Sequence, residues 1–300
     1  MIEVTDDWTA VDWERPPAVP GAGPFPRRGF LETWWRHRGA GRLCLVESET
    51  ALLPLRVDGG LVEFLGEPDL TDYHSPLGSG AGAAAAAFLD TLPPGTRFRF
   101  DSLPVEAAAE MAAGLEEAGL TPTVVDHEVS AVLALADTVE RHRAALSPKQ
   151  RHETRRKSRR FADAFGPARL VSSWEGFGVF VAMHRAAAGP KGGFMTSEVE
   201  GFFADLGRLP ETVLHLLCGD EGAPVAAAFG FQTGDAYYLY NSAFDPAAAF
   251  ASPGIVLLEA LVEDAIGAGR STFDLLKGDE EYKFRMGATR RVLQVVEGVT

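Results

Sequence analysis

The chain has 300 residues, 46% of them hydrophobic and 10% aromatic, enough for one large or two medium domains with buried cores. Its formal net charge of −14 argues against a general binder of nucleic acid, DNA included, or of an anionic membrane, because repulsion from a polyanion would dominate at long range. No basic segment leads into an apolar stretch at residues 1–4, and no run approaches the ~20 apolar residues that span a bilayer, so the expectation is a soluble, cytoplasmic protein.

In chain order, residues 30–37 read as a helix, followed by strand-like runs at 43–47, 52–57 and 61–65. Ser75-Pro76 then precedes an alanine-rich helical run to Leu92 and a strand at 97–101. Between residues 141 and 160 nine Arg and Lys meet one acid, Glu153, so this stretch carries +8 and the rest of the chain −22. Ser147-Pro148 is a good helix start, and the helix it opens places Arg151, Arg155 and Arg159 on one face. Such a run is a solvated face or an anion seat; its isolation in an acidic chain makes Arg151 and Arg155 candidate substrate contacts.

Helices are expected at 173–188 and 197–206, with strands at 213–218, 225–231 and 236–240 after them. His184, in the first of these helices, is either satisfied locally or placed on the acceptor side of a site. Ser252-Pro253-Gly254 opens an amphipathic helix to Ile266, with Ile255, Leu258, Val262 and Ala265 on the face that should cover a sheet. A buried strand at 271–275 breaks at Gly278 into a polar turn and then an aromatic and basic segment. Cys44 and Cys218 stand in apolar strand-like runs, where a lone thiol acts as a small hydrophobe; neither a disulfide nor a metal site is suggested.

The order of elements occurs twice. Cys44 and Cys218 are 174 residues apart, Ser75 and Ser252 177, and Asp101 and Asp274, each preceded in its strand by an apolar Phe, 173. A duplicated unit explains this: a strand, two helices, three strands, a helix and a further strand, an α+β sheet with antiparallel hairpins and one crossover helix. The expected boundaries are an N-terminal half at 1–140, a basic connecting helix at 141–165 and a C-terminal half at 166–300. The first half is read as scaffold and part of an acceptor groove, the second as catalytic.

The turn at 252–254 is the strongest chemical signal. A helix start beside a strand end directs backbone N–H groups and the positive end of the helix dipole at one spot, a seat for phosphate, and Gly254 allows close approach. Ser252 can cap there and Pro253 has no N–H to lose, so a plain helix cap is the alternative.

Together with FDLLKGDEEYKFRMG at 273–287, this turn resembles the C-terminal signature of GNAT-superfamily acyltransferases with two tandem GNAT-like halves, the CelD-like group, which is related to the Fem peptidoglycan aminoacyl transferases. The resemblance implies two GNAT-like halves with mixed, mostly antiparallel sheets and helices on their faces. It implies an acyl donor whose arm wedges between two splayed strands while an acceptor amine attacks the thioester. Ser252, Gly254 and Ile255 would then face the donor's pyrophosphate, and the backbone around Tyr240, Asn241 and Ser242 its arm and carbonyl. Lys283, beside Tyr282, matches the Fem-type aromatic-Lys pair, in which the Lys is implicated in stabilising developing charge. Asp274 closes a strand where sites of such sheets gather, and is either a site residue or a cap of the turn. The turn carries fewer Gly and Arg than the widespread GNAT phosphate motif.

The expected function is N-acyl transfer from acyl-CoA, acetyl-CoA first, to an amine of a small metabolite, sugar or peptide, with no metal. The alternatives are Fem-like transfer from aminoacyl-tRNA, the one case in which tRNA is a partner, and a non-catalytic binding protein on the same fold.

Overall fold

A computed structural model describes residues 1–300, apart from the side chains of residues 190 and 191. Packing divides the chain into two compact units, Met1–Ser130 with Arg290–Thr300, and Ala131–Thr289. Among the described residues no helix is long and apolar enough to cross a membrane.

In the first unit β1 (Ile2–Thr5) and α1 (Arg28–Arg38) precede the antiparallel trio β2 (Arg42–Ser48), β3 (Ala51–Asp58) and β4 (Leu61–Phe64). The two-residue β5 (Leu77–Gly78) pairs with β3, the helix α2 (Ala81–Asp90) crosses over, and β6 (Arg97–Pro104) joins β4 in parallel. Next come α3 (Val105–Glu117) and β7 (Thr123–Ala134), whose last four residues count with the second unit. The alanines of α2 serve close packing against α3. A Cβ on Gly82 would lie 2.7 Å from the Glu110 and Met111 carbonyls and 2.8 Å from Gly114 Cα, so larger residues would force the two helices apart.

The second unit begins with α4 (Val139–Ala145), α5 (Pro148–Phe165) and β8 (Arg169–Ser172), then α6 (Phe177–Ala186), α7 (Pro190–Phe194) and α8 (Ser197–Leu206). An antiparallel trio β9 (Thr212–Cys218), β10 (Pro224–Thr233) and β11 (Ala236–Phe244) follows, with the crossover helix α9 (Pro253–Gly267) and the parallel strand β12 (Thr272–Lys277). After the short α10 (Glu281–Arg285), β13 (Thr289–Val299) pairs antiparallel with β6.

The strand order β1-β2-β3-β4-β6 of one unit is repeated as β8-β9-β10-β11-β12 in the other, with the same antiparallel trio and the same parallel pairing after the crossover helix. The expected α+β architecture of two similar halves stands. Cys44 and Cys218, both buried, lie on corresponding strands β2 and β9.

Three expectations differ in detail. Residues 290–300 were assigned to the second half but count with the first, because β13 completes the ladder beside β6 from Leu293 opposite Pro104 to Val299 opposite Arg97. The basic run was drawn as a connector, yet α5 belongs to the second unit, where it packs on α9 and buries Phe161 beside Phe165. Ser75-Pro76, in step with Ser252-Pro253 in the sequence, is not its equivalent in the fold, since only the latter stands at a helix start. Ser75-Pro76 leads into β5, and α2 starts after Gly80, which, like Ser252 before α9, takes the left-handed conformation (φ +76° and +56°).

The two crossover helices differ at their starts. In the first unit Glu110, from α3, places Oε1 2.6 Å from the Gly80 N–H and 3.2 Å from the Ala81 N–H, so a carboxylate of the chain itself sits at the positive end of α2. Glu110→Ala is expected to cost about 1–2 kcal/mol in urea unfolding, the cost of a lost cap.

Candidate functional site

The second unit carries a gap in its sheet. β11 and β12 pair for three residues, Ala236–Thr272, Tyr237–Phe273 and Tyr238–Asp274, and no further. From Leu239 onward no strand among the described residues pairs with the β12-facing edge of β11, although β11 continues to Phe244 and β12 to Lys277. Two local features part the strands. On β11 the register against β10 shifts between Phe229–Asn241 and Gly230–Leu239, leaving Tyr240 as an extra, bulged residue. On β12 the residue Leu276 is left-handed, φ +59°, and its N–H donates to Asp274 Oδ1 at 2.8 Å. Asp274, only 1% exposed, thereby shapes the turn that carries β12 away from its neighbour.

Lys283 holds that turn from the other side. Its ammonium donates to the carbonyls of Leu276 (3.3 Å), Lys277 and Gly278 (3.5 Å), and pairs with Glu280 Oε2 at 3.0 Å. The side chain is 4% exposed, so it is no solvated surface lysine. An ammonium has three protons, and backbone carbonyls and one carboxylate already claim them. Gly278 is required beneath it: φ is +115°, and a Cβ would come within 2.8 Å of Lys283 Nζ and closer still to Glu280. Lys283 thus satisfies carbonyls that left the ladder when the strands parted.

α9 begins at the same end of the sheet. Ser252 does not cap through its side chain, a correction to the sequence reading; the left-handed backbone makes the turn, and its carbonyl accepts the N–H groups of Ile255 (3.1 Å) and Val256 (3.3 Å). Pro253 has no N–H, so among the first helical residues the Gly254 amide is the one with no backbone acceptor among the described residues. A Cβ on Gly254 would sit 3.4 Å from the Phe244 ring, so Phe244 walls this turn.

Ile255 was expected on the sheet-covering face. Instead it lines a cavity of about 470 Å³ together with Tyr282, Met286 and Arg285 on one side and Ser147, Lys149, Glu153 and Lys157 of α5 on the other. Three cations and one carboxylate border this space. Tyr282 is partly exposed there; the protein packed around its ring and the Glu280 carboxylate push its hydroxyl up to about 12, so it is a neutral hydrogen-bond donor at ordinary pH. Lys149, Lys157, Arg285 and Phe244 were not picked out from the sequence. The first two follow from the α5 helix itself, whose i, i+4 spacing sets Lys149, Glu153 and Lys157 on one face.

The remaining candidates lie elsewhere in the unit. Tyr240 stacks on Phe203 (5.2 Å, 20°) and contacts Phe231 on the sheet face opposite α9. His184 is 1% exposed, edge-on to Phe180 at 4.7 Å in the same aromatic layer. Asn241 and Ser242 are half-buried on the part of β11 that pairs with β10 but not with β12. Arg151 and Arg155 line a second cavity of about 470 Å³ on the neighbouring face of α5, against α9.

Residues 148–284 match the family model described as the acetyltransferase (GNAT) domain. Among curated proteins none matches the chain. Among solved structures, FemX superposes with a TM-score of 0.64 at 12% identity over 95% of this chain and 93% of that one. L-PGS from Bacillus licheniformis gives 0.58 at 14% over 91% and 92%. A C-terminal domain from Agrobacterium fabrum, assigned to a lysylphosphatidylglycerol synthetase, gives 0.57 at 12% over 89% and 86%. At these identities the likeness is one of fold. The matched segment runs from the first turn of α5 to α10 and so contains the parted strands, the α9 start and the Tyr282 cavity; residues 148–284 are a GNAT-type acetyltransferase domain, and the chain as a whole has the fold of FemX.

Proposed function

We propose that the chain is an N-acyltransferase whose second unit binds acyl-CoA at the α9 start and in the gap between β11 and β12. The contrast between the two crossover helices supports this most directly. The start of α2 is filled by Glu110, whereas the start of α9 keeps the Gly254 amide and borders a cavity with Lys149, Lys157 and Arg285. A diphosphate at Ser252, Gly254 and Ile255 would meet a helix dipole and nearby cations. The pantetheine amides would pair with the β11 edge from Tyr240 to Ser242, as a strand would.

In the reaction an acceptor amine attacks the thioester carbonyl carbon, its proton passes to a base, and the C–S bond breaks to release the thiol. Backbone N–H groups on the open β11 edge would polarise the carbonyl oxygen. Lys283 and Asp274 act as positioning residues, since both are spent on holding the end of β12. Tyr282 offers a neutral hydroxyl near the donor. Tyr282→Phe is expected to lower kcat about tenfold, the worth of one neutral hydrogen bond, without adding or removing a limb of the pH profile below about pH 10.

A second donor, aminoacyl-tRNA, is favoured by two observations: α5 carries more cations than one CoA would use, and the solved FemX shares the fold. Thiol release from acetyl-CoA, dependent on an added amine, tests the first reading. No release with any acyl-CoA, together with donor binding that weakens steeply with salt when aminoacyl-tRNA is supplied, would replace it with the second.

A further inference from the structure

We propose that the groove between α5 and α9 is a phosphate-binding site, built on Arg155 and Arg159 and lying one helix face away from the Tyr282 cavity. The groove encloses about 470 Å³ and is lined by four arginines, Arg143, Arg151, Arg155 and Arg159, with Glu259 and Glu263 along its α9 side.

The partners of these charges decide what it can hold. Arg143 pairs with Glu263. Arg151 donates to the carbonyls of Ala144 (3.1 Å) and Leu146, and so locks the junction between α4 and α5. Elsewhere on α5, Arg156 and Lys157 share Glu153, and Arg160 donates to the Phe250 carbonyl. Arg155 and Arg159 are exposed and, among the described residues, hold no hydrogen bond or ion pair. They stand one turn apart, so their guanidinium groups face the same space. In a chain with 42 carboxylates, two adjacent guanidinium groups without a counter-ion repel each other unless an anion lies between them.

Among the described residues Glu259 forms no ion pair with them: one of its oxygens accepts the Ser158 hydroxyl at 2.9 Å, the Thr154 hydroxyl lies beside the same carboxyl, and burial pushes its pKa upward. The groove therefore offers two forked donors above a floor that carries the hydroxyls of Thr154 and Ser158. A tetrahedral dianion with several acceptor oxygens fits that donor set better than a carboxylate, because two guanidinium forks present more N–H groups than one carboxylate can accept.

The phosphate can belong to the donor, as the 3′-phosphate of CoA, or to a phosphorylated acceptor. Only its role as a substrate group rests on the transferase reading; the binding itself does not. Calorimetric titration with inorganic pyrophosphate of the full chain carrying Gly254→Glu, whose added carboxylate fills the α9 seat, is expected to give saturable binding that a further Arg155→Gln/Arg159→Gln weakens about tenfold or more, while a further Arg156→Gln, on the same helix but outside the groove, changes it less than about twofold. Each single arginine variant should lose part of the affinity. If the arginine pair can be replaced without loss in that background, if Arg156→Gln weakens binding as much as the pair, or if the Gly254→Glu chain shows no binding at millimolar pyrophosphate, the proposal is overturned. CoA and dephospho-CoA separate the two sources. A donor phosphate makes the double variant lose affinity for CoA and not for dephospho-CoA, whereas an acceptor phosphate leaves both unchanged with pyrophosphate binding still lost.

Discussion

Gly254→Glu is expected to abolish donor binding while the protein stays folded. Gly254 is not in the left-handed region, and a Cβ there would meet the Phe244 ring at 3.4 Å, a contact that a small ring shift relieves. A carboxylate in the first turn of α9 also suits the helix dipole, so stability should change by less than about 1 kcal/mol. The same carboxylate would occupy the seat proposed for the diphosphate, much as Glu110 occupies the start of α2. We expect at least a hundredfold loss of acyl-CoA affinity, about 2.7 kcal/mol, with an unchanged circular dichroism spectrum. Gly254→Ala, which adds bulk without charge, should retain most binding. Donor affinity that survives the Glu substitution would move the seat away from α9.

Lys283→Met is expected to act on stability and turnover together. The stem is kept, but the carbonyls of Leu276, Lys277 and Gly278 lose the ammonium they share, and Glu280 loses its partner. Leaving such groups unsatisfied costs about 1–3 kcal/mol, visible as a lower urea midpoint at unchanged m-value. If Lys283 also keeps β12 parted from β11, kcat should fall about a hundredfold, comparable to removing one oxyanion donor, with the donor KM nearly constant. Lys283→Arg, which restores charge and donors, should recover part of both. A stability loss with normal kcat would confine Lys283 to folding, and a raised KM at normal kcat would make it a donor contact instead.

The relation between Lys283 and its surroundings marks the boundary of what a linear reading reaches. The run at 273–287 could be recognised as a broken strand with an aromatic-Lys pair, because Gly278 interrupts an apolar period and the charges that follow cannot continue it. Whether the lysine faced solvent, substrate or its own backbone depended on the left-handed turn at Leu276, a conformation that no leucine announces in sequence. Ile255 is a similar case. Its place in the apolar period of α9 suggested the sheet face, but α5 and α10 come close enough to make a cavity wall of it.

The duplication, the α+β class, the crossover helices and the isolation of positive charge on α5 were determined by the sequence alone, because they rest on periodicity, breakers and composition, all of which are local properties of the chain. Only the tertiary structure decided which strand completes which ladder, that β13 returns to the first unit, that β11 and β12 separate after Tyr238 and Asp274, and that Glu110 closes one helix start while the other borders a cationic cavity. Those are pairings between residues distant in sequence, fixed by which backbone and charged groups remain to be satisfied once the cores have packed, and no local pattern encodes that remainder.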